Sequence, residues 1–144
     1  MLAVATTGHP TADVPFPVPH NARVAPFLPH GDLLPHVDLM ITNGGFGGVQ
    51  HALAHGIPLI IGGDTEDKPE VAARIAWAGA GINLRTATPT PHQIRQAVEK
   101  VLKDHSYRQT ARDLAAKIAD TSPLPATENA LATTTSMEPR IFSI

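Results

Sequence analysis

The sequence predicts an α/β fold with a Rossmann-like, largely parallel sheet covered by helices on both faces. Three observations carry that expectation. Short apolar and β-branched runs recur along the chain, most of them apolar on both sides, as strands sandwiched between helices must be. From 36 to 84 these runs alternate with segments of helical spacing that have recognisable ends. A cluster of four glycines, Gly44, Gly45, Gly47 and Gly48, joins one run to the helix that follows.

The elements follow in order. "LAVATT" (2–7) is a strand that stops at Gly8, and the proline-rich connection 9–20 leads to "ARVAPFL" (22–28), a second strand ending at Pro29. "HVDLMIT" (36–42), "IPLIIG" (57–62) and "AGINL" (80–84) are the third, fourth and fifth. A helix over 48–55 is closed by Gly56, the residue type that tolerates the left-handed conformation after a last helical turn. Over 68–78 a second helix has Asp67 as its cap, Glu70 as the capping-box partner and Gly79 as its stop. The third, 91–104, has Thr90 as cap, Pro91 at its first position and Gln93 completing a box. Its residues Ile94, Ala97, Val98, Val101 and Leu102 recur at the three-four spacing of one buried stripe. The last helix, 107–119, buries Tyr107, Ala111, Leu114, Ala115 and Ile118. Residues 1–120 therefore read as one domain, and the Thr, Ser and Pro-rich segment 121–144 as a disordered tail with at most a short helical turn.

Composition narrows the function classes. The chain has 144 residues, 42% hydrophobic and 17% charged, which suits one domain with a real core. Lys and Arg total 11 against 13 Asp and Glu, so no basic footprint points to a nucleic-acid partner. The absence of cysteine excludes disulfide scaffolds, thiolate metal sites and cysteine nucleophiles. No segment reads as a signal peptide and no apolar stretch is long enough to span a bilayer, so the expected location is cytoplasmic. His51 and His55 stand four apart on one helix, but no Glu lies between them as in H-E-x-x-H and no third ligand is indicated, so no metal is expected. There is no G-x-S-x-G hydrolase elbow. Arg95, Glu99, Lys100, Lys103 and Asp104 form a solvated helix face.

The glycine turn is the feature with chemistry in it. At the carboxyl end of a parallel strand, such a turn lets ligand oxygens approach the backbone, and the first free N–H groups of the next helix point at them. An anion, most often a phosphate, suits that place. The alternative is that the glycines merely relieve crowding where strand meets helix. No G-K-[ST] ending makes this a Walker A loop, and Gln50 stands where a dinucleotide fingerprint wants glycine or alanine.

Around that turn, "FLPH" (27–30), "VDLMITNGGFGG" (37–48), "ALAHGIPLI" (52–60), "EDKPEVAARI" (66–75) and "AGAGINL" (78–84) succeed one another at a particular spacing. Over about residues 1–120 this resembles the nucleotide-sugar-binding, C-terminal half of GT-B glycosyltransferases, in the bacterial branch of the UDP-glycosyltransferase superfamily that acts on macrolides, sterols and other natural products. The resemblance implies a role for each matching position. Phe27 and His30 sit where the family's base-stacking residue and its amide partner sit. Gly44, Gly45, Gly47, Gly48 and the N–H of Val49 would line the diphosphate, and Asp67 would accept hydrogen bonds from sugar hydroxyls, unless it serves only as a helix cap.

Three positions depart from the family's pattern. Asn43 replaces the histidine of the turn and can donate a hydrogen bond but carry no charge. His51, beside Gln50, replaces the glutamate that usually bonds the ribose hydroxyls. Lys68 replaces a glutamine, which suits a phosphate or an acidic sugar. The family's acceptor-binding domain, with its histidine base, has no counterpart in the sequence, so no catalytic residue is assigned. "MLAVATTG" matches the second strand of the nucleotide-binding half, so the first strand, which lies at the centre of such a sheet, is expected to be missing. Two open edges and marginal stability would follow.

The resemblance thus implies a domain that binds a UDP- or dTDP-linked sugar for transfer of a hexose to a hydroxyl of a small lipophilic acceptor. It implies no cofactor beyond that donor, and an acceptor held by another domain. Two alternatives stand beside it: a stand-alone nucleotide-sugar binding module that pairs with a separate acceptor domain, and an inactive remnant.

Overall fold

A computed structural model describes residues 1–121; the segment 122–144, where the sequence suggests a disordered tail, lies outside the described residues. The strands are β1 Ala3–Thr6, β2 Ala22–Ala25, β3 Met40–Thr42, β4 Leu59–Ile61 and β5 Gly81–Asn83. The helices are α1 His30–Leu33, α2 Phe46–Ala54, α3 Lys68–Ala78, α4 Pro91–Lys103 and α5 Ser106–Asp120, with a 3-10 turn at Leu34–His36 after α1. All the strand pairings are parallel.

The core is organised by β4. Its three residues are all 0% exposed, because helices cover both sides of the sheet, and their side chains divide by the period of two that any strand imposes. Leu59 and Ile61 face Val49, Ala52 and Leu53 of α2, Ala72 and Ile75 of α3, and Ala111 of α5. Ile60 faces the other way, to Ala97 and Val101 of α4, with Leu39, Ile82, Leu84 and Tyr107 around it. Complete burial of one such side chain stabilises by about 1.5–3 kcal/mol, so this one strand supplies a large share of the apolar driving force. β5 can lie close to β4 because it begins with Gly81, where a Cβ would stand 2.2 Å from the Leu59 carbonyl oxygen.

The sheet is in two pieces. β3, β4 and β5 form one, in that order, and β1 pairs only with β2 in a separate two-stranded sheet. Among the described residues no strand joins the two pieces. All four residues of β1 are exposed, and Ile41 in β3 keeps half its surface in water. The open edges expected from the sequence are therefore present among the described residues.

Helix ends follow the punctuation in most places. Gly79 closes α3 in the left-handed conformation, φ 78°, and Gly56 follows α2 with φ 65°. Thr90 and Gln93 form the full reciprocal box at the start of α4. The expected box at α3 does not form: Asp67 has φ −82° and ψ −7°, a helical rather than extended backbone, and its carboxylate makes no cap bond. Glu70 bonds Arg74 instead, at 2.6 Å. Trp77 projects from α3 with 91% of its surface exposed. No helix among the described residues is long and apolar enough to cross a membrane.

Candidate functional site

The glycine turn occupies the carboxyl ends of β3 and β4. Thr42 ends β3, and its hydroxyl accepts the Gly44 N–H at 3.3 Å. The Asn43 side-chain oxygen accepts the Gly45 N–H at 3.2 Å, which leaves the carboxamide NH2 as the free part of that side chain. Gly44 has φ 89°, and a Cβ there would lie 2.6 Å from Ile61 Cγ2, so this glycine is required by conformation and by packing together. The chain after β4 presses on the turn as closely: at Gly63 a Cβ would fall 2.0 Å from the Asn43 carbonyl oxygen. Crowding accounts for those two glycines.

It does not account for Gly47, where a Cβ would meet no atom within 4 Å. The helix starts earlier than its sequence pattern suggests, with Gly45 as cap and Phe46, Gly47 and Gly48 as the first turn. Val49 N–H donates to the Gly45 carbonyl at 3.1 Å, and Val49 itself is buried in the core. The N–H groups without intrahelical partners are therefore those of Phe46, Gly47 and Gly48. Phe46 takes the place expected for Val49. These donors stand at the positive end of a nine-residue helix.

Two expected residues from distant elements meet beside α2. His30, the first residue of α1, and His51, in the middle of α2, have ring centroids 5.7 Å apart and planes at 76°, an edge-to-face contact. His55 turns to the backbone, its Nδ1 2.8 Å from the His51 carbonyl oxygen, and among the described residues no group of three His, Asp or Glu side chains stands ready for a metal. Phe27 lies in the connection before α1 with 75% of its surface exposed. Asp67 precedes α3 with its carboxylate uncommitted.

Lys68, the first residue of α3, lies against the turn. Its Cβ and carbonyl oxygen are each 3.7 Å from the place of a Gly44 Cβ, and its Cδ crosses over Gly63. The ammonium reaches Glu66 Oε2 at 2.5 Å and donates to Thr65 Oγ1 at 3.1 Å. The bond to Glu66, and the charge behind it, hold the Glu66 carboxyl below its usual range. Glu66 has φ 58°, a left-handed backbone that side chains rarely adopt. Thr42, Phe46, Gly63 and Glu66 are not legible as site residues in the sequence; the Gly62-Gly63 pair directly after an apolar run is the available signal for a close approach.

A cleft of about 620 Å³ opens on the other flank of Gly63, between α3 and β5, lined by Asp64, Ala73, Trp77, Asn83 and Arg85. It holds none of the expected phosphate donors.

Comparison with known proteins gives four findings. Residues 4–132 match the model of the family described as erythromycin biosynthesis protein CIII-like, C-terminal domain. The 4'-demethylrebeccamycin synthase of Lentzea aerocolonigenes is 51% identical over 114 residues, 79% of this chain and 27% of that protein. Among solved structures, the glycotransferase of kitacinnamycin superposes with a TM-score of 0.76 at 25% identity, over 83% of this chain and 31% of the other. Glycosyltransferase VinC, solved in complex with dTDP, superposes with a TM-score of 0.73 at 28% identity, over 81% and 30%. The chain thus spans about 30% of the length of these solved neighbours.

Proposed function

As the chain belongs to the family of the erythromycin biosynthesis protein CIII-like C-terminal domain, we propose that its glycine turn holds the diphosphate of a UDP- or dTDP-linked sugar. The observation that carries this is the start of α2, where the N–H groups of Phe46, Gly47 and Gly48 lack intrahelical partners and a Cβ at Gly47 would meet nothing within 4 Å outside its own helix backbone and chain neighbours. A phosphate oxygen there would receive charge-assisted hydrogen bonds from a fixed set of dipoles. The Asn43 NH2 adds a neutral donor at the rim of the same turn.

The rest of the donor extends to either side. Phe27 is the stacking surface for the base. His30 and His51, already in contact across α1 and α2, hold the base edge and the ribose hydroxyls. Asp67, free of any capping duty, accepts hydrogen bonds from the sugar. In the reaction this serves, a hexose passes from the nucleotide to a hydroxyl of a small lipophilic acceptor. Charge develops on the departing diphosphate, and donors already aimed at it lower the barrier without reorganising. Deprotonation of the acceptor falls to a base in an acceptor-binding domain. Support for the donor class comes from the neighbour solved with dTDP.

The test is calorimetric titration of the purified chain with UDP, dTDP and their sugar conjugates. Saturable binding that fails with the corresponding nucleosides supports the proposal. No heat of binding with any of them at millimolar concentration overturns it.

A further inference from the structure

The start of α2 offers dipoles and no charge. Four of its residues around the turn are glycines, and Asn43 is neutral with its oxygen already bonded to the Gly45 N–H. A nucleoside diphosphate brings several negative charges to one place, and dipoles alone balance them incompletely. The charged side chain packed against the turn is that of Lys68, whose stem crosses Gly63 beside Gly44 and whose side chain is only 17% exposed.

That cation is already occupied, by an anion with features of a placeholder. The Glu66 side chain is 76% exposed and is presented on a left-handed backbone, φ 58°, so holding it over Lys68 works against the chain's own conformational preference. An ion pair so open to water is a weak one. We propose that Lys68 supplies the counter-charge for the donor's diphosphate, and that Glu66 holds the ammonium only while the donor is absent. This rests on the donor-site reading above and adds a specificity-determining contact to it. Binding exchanges one oxygen anion for another at Nζ, from the Glu66 carboxylate to a phosphate oxygen, with no covalent change. The phosphate concerned is the distal one, next to the sugar, because Lys68 directly follows Asp67, the residue proposed above for the sugar hydroxyls. Lys68 therefore distinguishes nucleoside diphosphates from monophosphates.

Titrations of the full chain with UDP and dTDP, and with UMP and dTMP as controls, test this on Lys68→Gln, Lys68→Arg and Glu66→Gln, each verified as folded by circular dichroism. Loss of a hydrogen bond to a charged group predicts about tenfold weaker diphosphate binding for Lys68→Gln, with monophosphate binding unchanged. Lys68→Arg restores most of the affinity, and Glu66→Gln, which frees the ammonium, tightens diphosphate binding by about two- to fivefold. Unchanged diphosphate affinity in Lys68→Gln, or an equal loss for monophosphates, overturns the inference and leaves the donor site standing. Failure of the unsubstituted chain to bind either diphosphate overturns the donor site and this inference with it.

Discussion

Gly47→Ala is the substitution that separates a turn built for a ligand from a turn built for packing. The backbone at 47 is not among those with positive φ, and apart from its chain neighbours and its own helix backbone no atom lies within 4 Å of where the new methyl would go. The free protein therefore accommodates alanine without strain. Replacing glycine in a helix also removes unfolded-state entropy, a gain of up to about 0.5–1 kcal/mol. In the proposed cradle the methyl crowds the approach of a phosphate oxygen to this first turn. Loss of one charge-assisted hydrogen bond, about 1.5–3 kcal/mol, weakens UDP or dTDP binding by roughly ten- to a hundredfold. Thermal unfolding followed by circular dichroism gives the first quantity and calorimetric titration the second. Gly44→Ala is the control: at φ 89° with Ile61 Cγ2 2.6 Å away, it destabilises the fold by about 1–3 kcal/mol from backbone strain alone. A Gly47→Ala chain that is stable and binds diphosphate as well as the parent refutes the cradle.

Three further outcomes are expected. His30→Ala and His51→Ala each weaken nucleotide binding, and the double substitution loses less than the sum, because the two rings touch; strict additivity in the titrations contradicts a shared subsite. The carboxyls of Glu66 and Asp104 both lie below their ordinary values, Glu66 through Lys68 and Asp104 through its hydrogen bonds with Ser106. Their contribution to stability is therefore complete above the ordinary carboxylate range and disappears as pH falls through the lower folded values. Asp104→Asn should flatten the acid side of a urea-midpoint profile, and an unaltered profile rules that out. The open edges of β1 and β3 predict that the chain alone melts broadly and self-associates, which a sharp, reversible monomer transition would contradict.

What the sequence discloses depends on how strongly each boundary is punctuated. α3 runs over 68–78 as its sequence predicts, because Pro69 and Gly79 mark its two ends. The box at Thr90 and Gln93 is legible because both halves are local and nothing distant competes. α2 begins before its sequence pattern does, since a helix that opens on glycines lacks the propensity signal of a first turn, so the Val49 N–H is bonded within the helix while that of Phe46 lacks an intrahelical partner. α1 follows Pro29 and the 3-10 turn contains Pro35, and prolines there read as loop. The pairing of His30 with His51, and of Glu66 with Lys68, needs the third dimension: one joins two separate elements, and the other depends on a left-handed residue that no local pattern announces.

Trp77, the chain's single tryptophan, stands on α3 almost wholly in water. Its indole is solvated before unfolding as well as after, so its emission will barely change when the core around β4 is lost, and intrinsic fluorescence will miss that event. The same placement makes it a reporter of another kind. A blue shift, or protection from a soluble quencher, on mixing with a second polypeptide would mark contact at the α3 surface, free of any background from the interior.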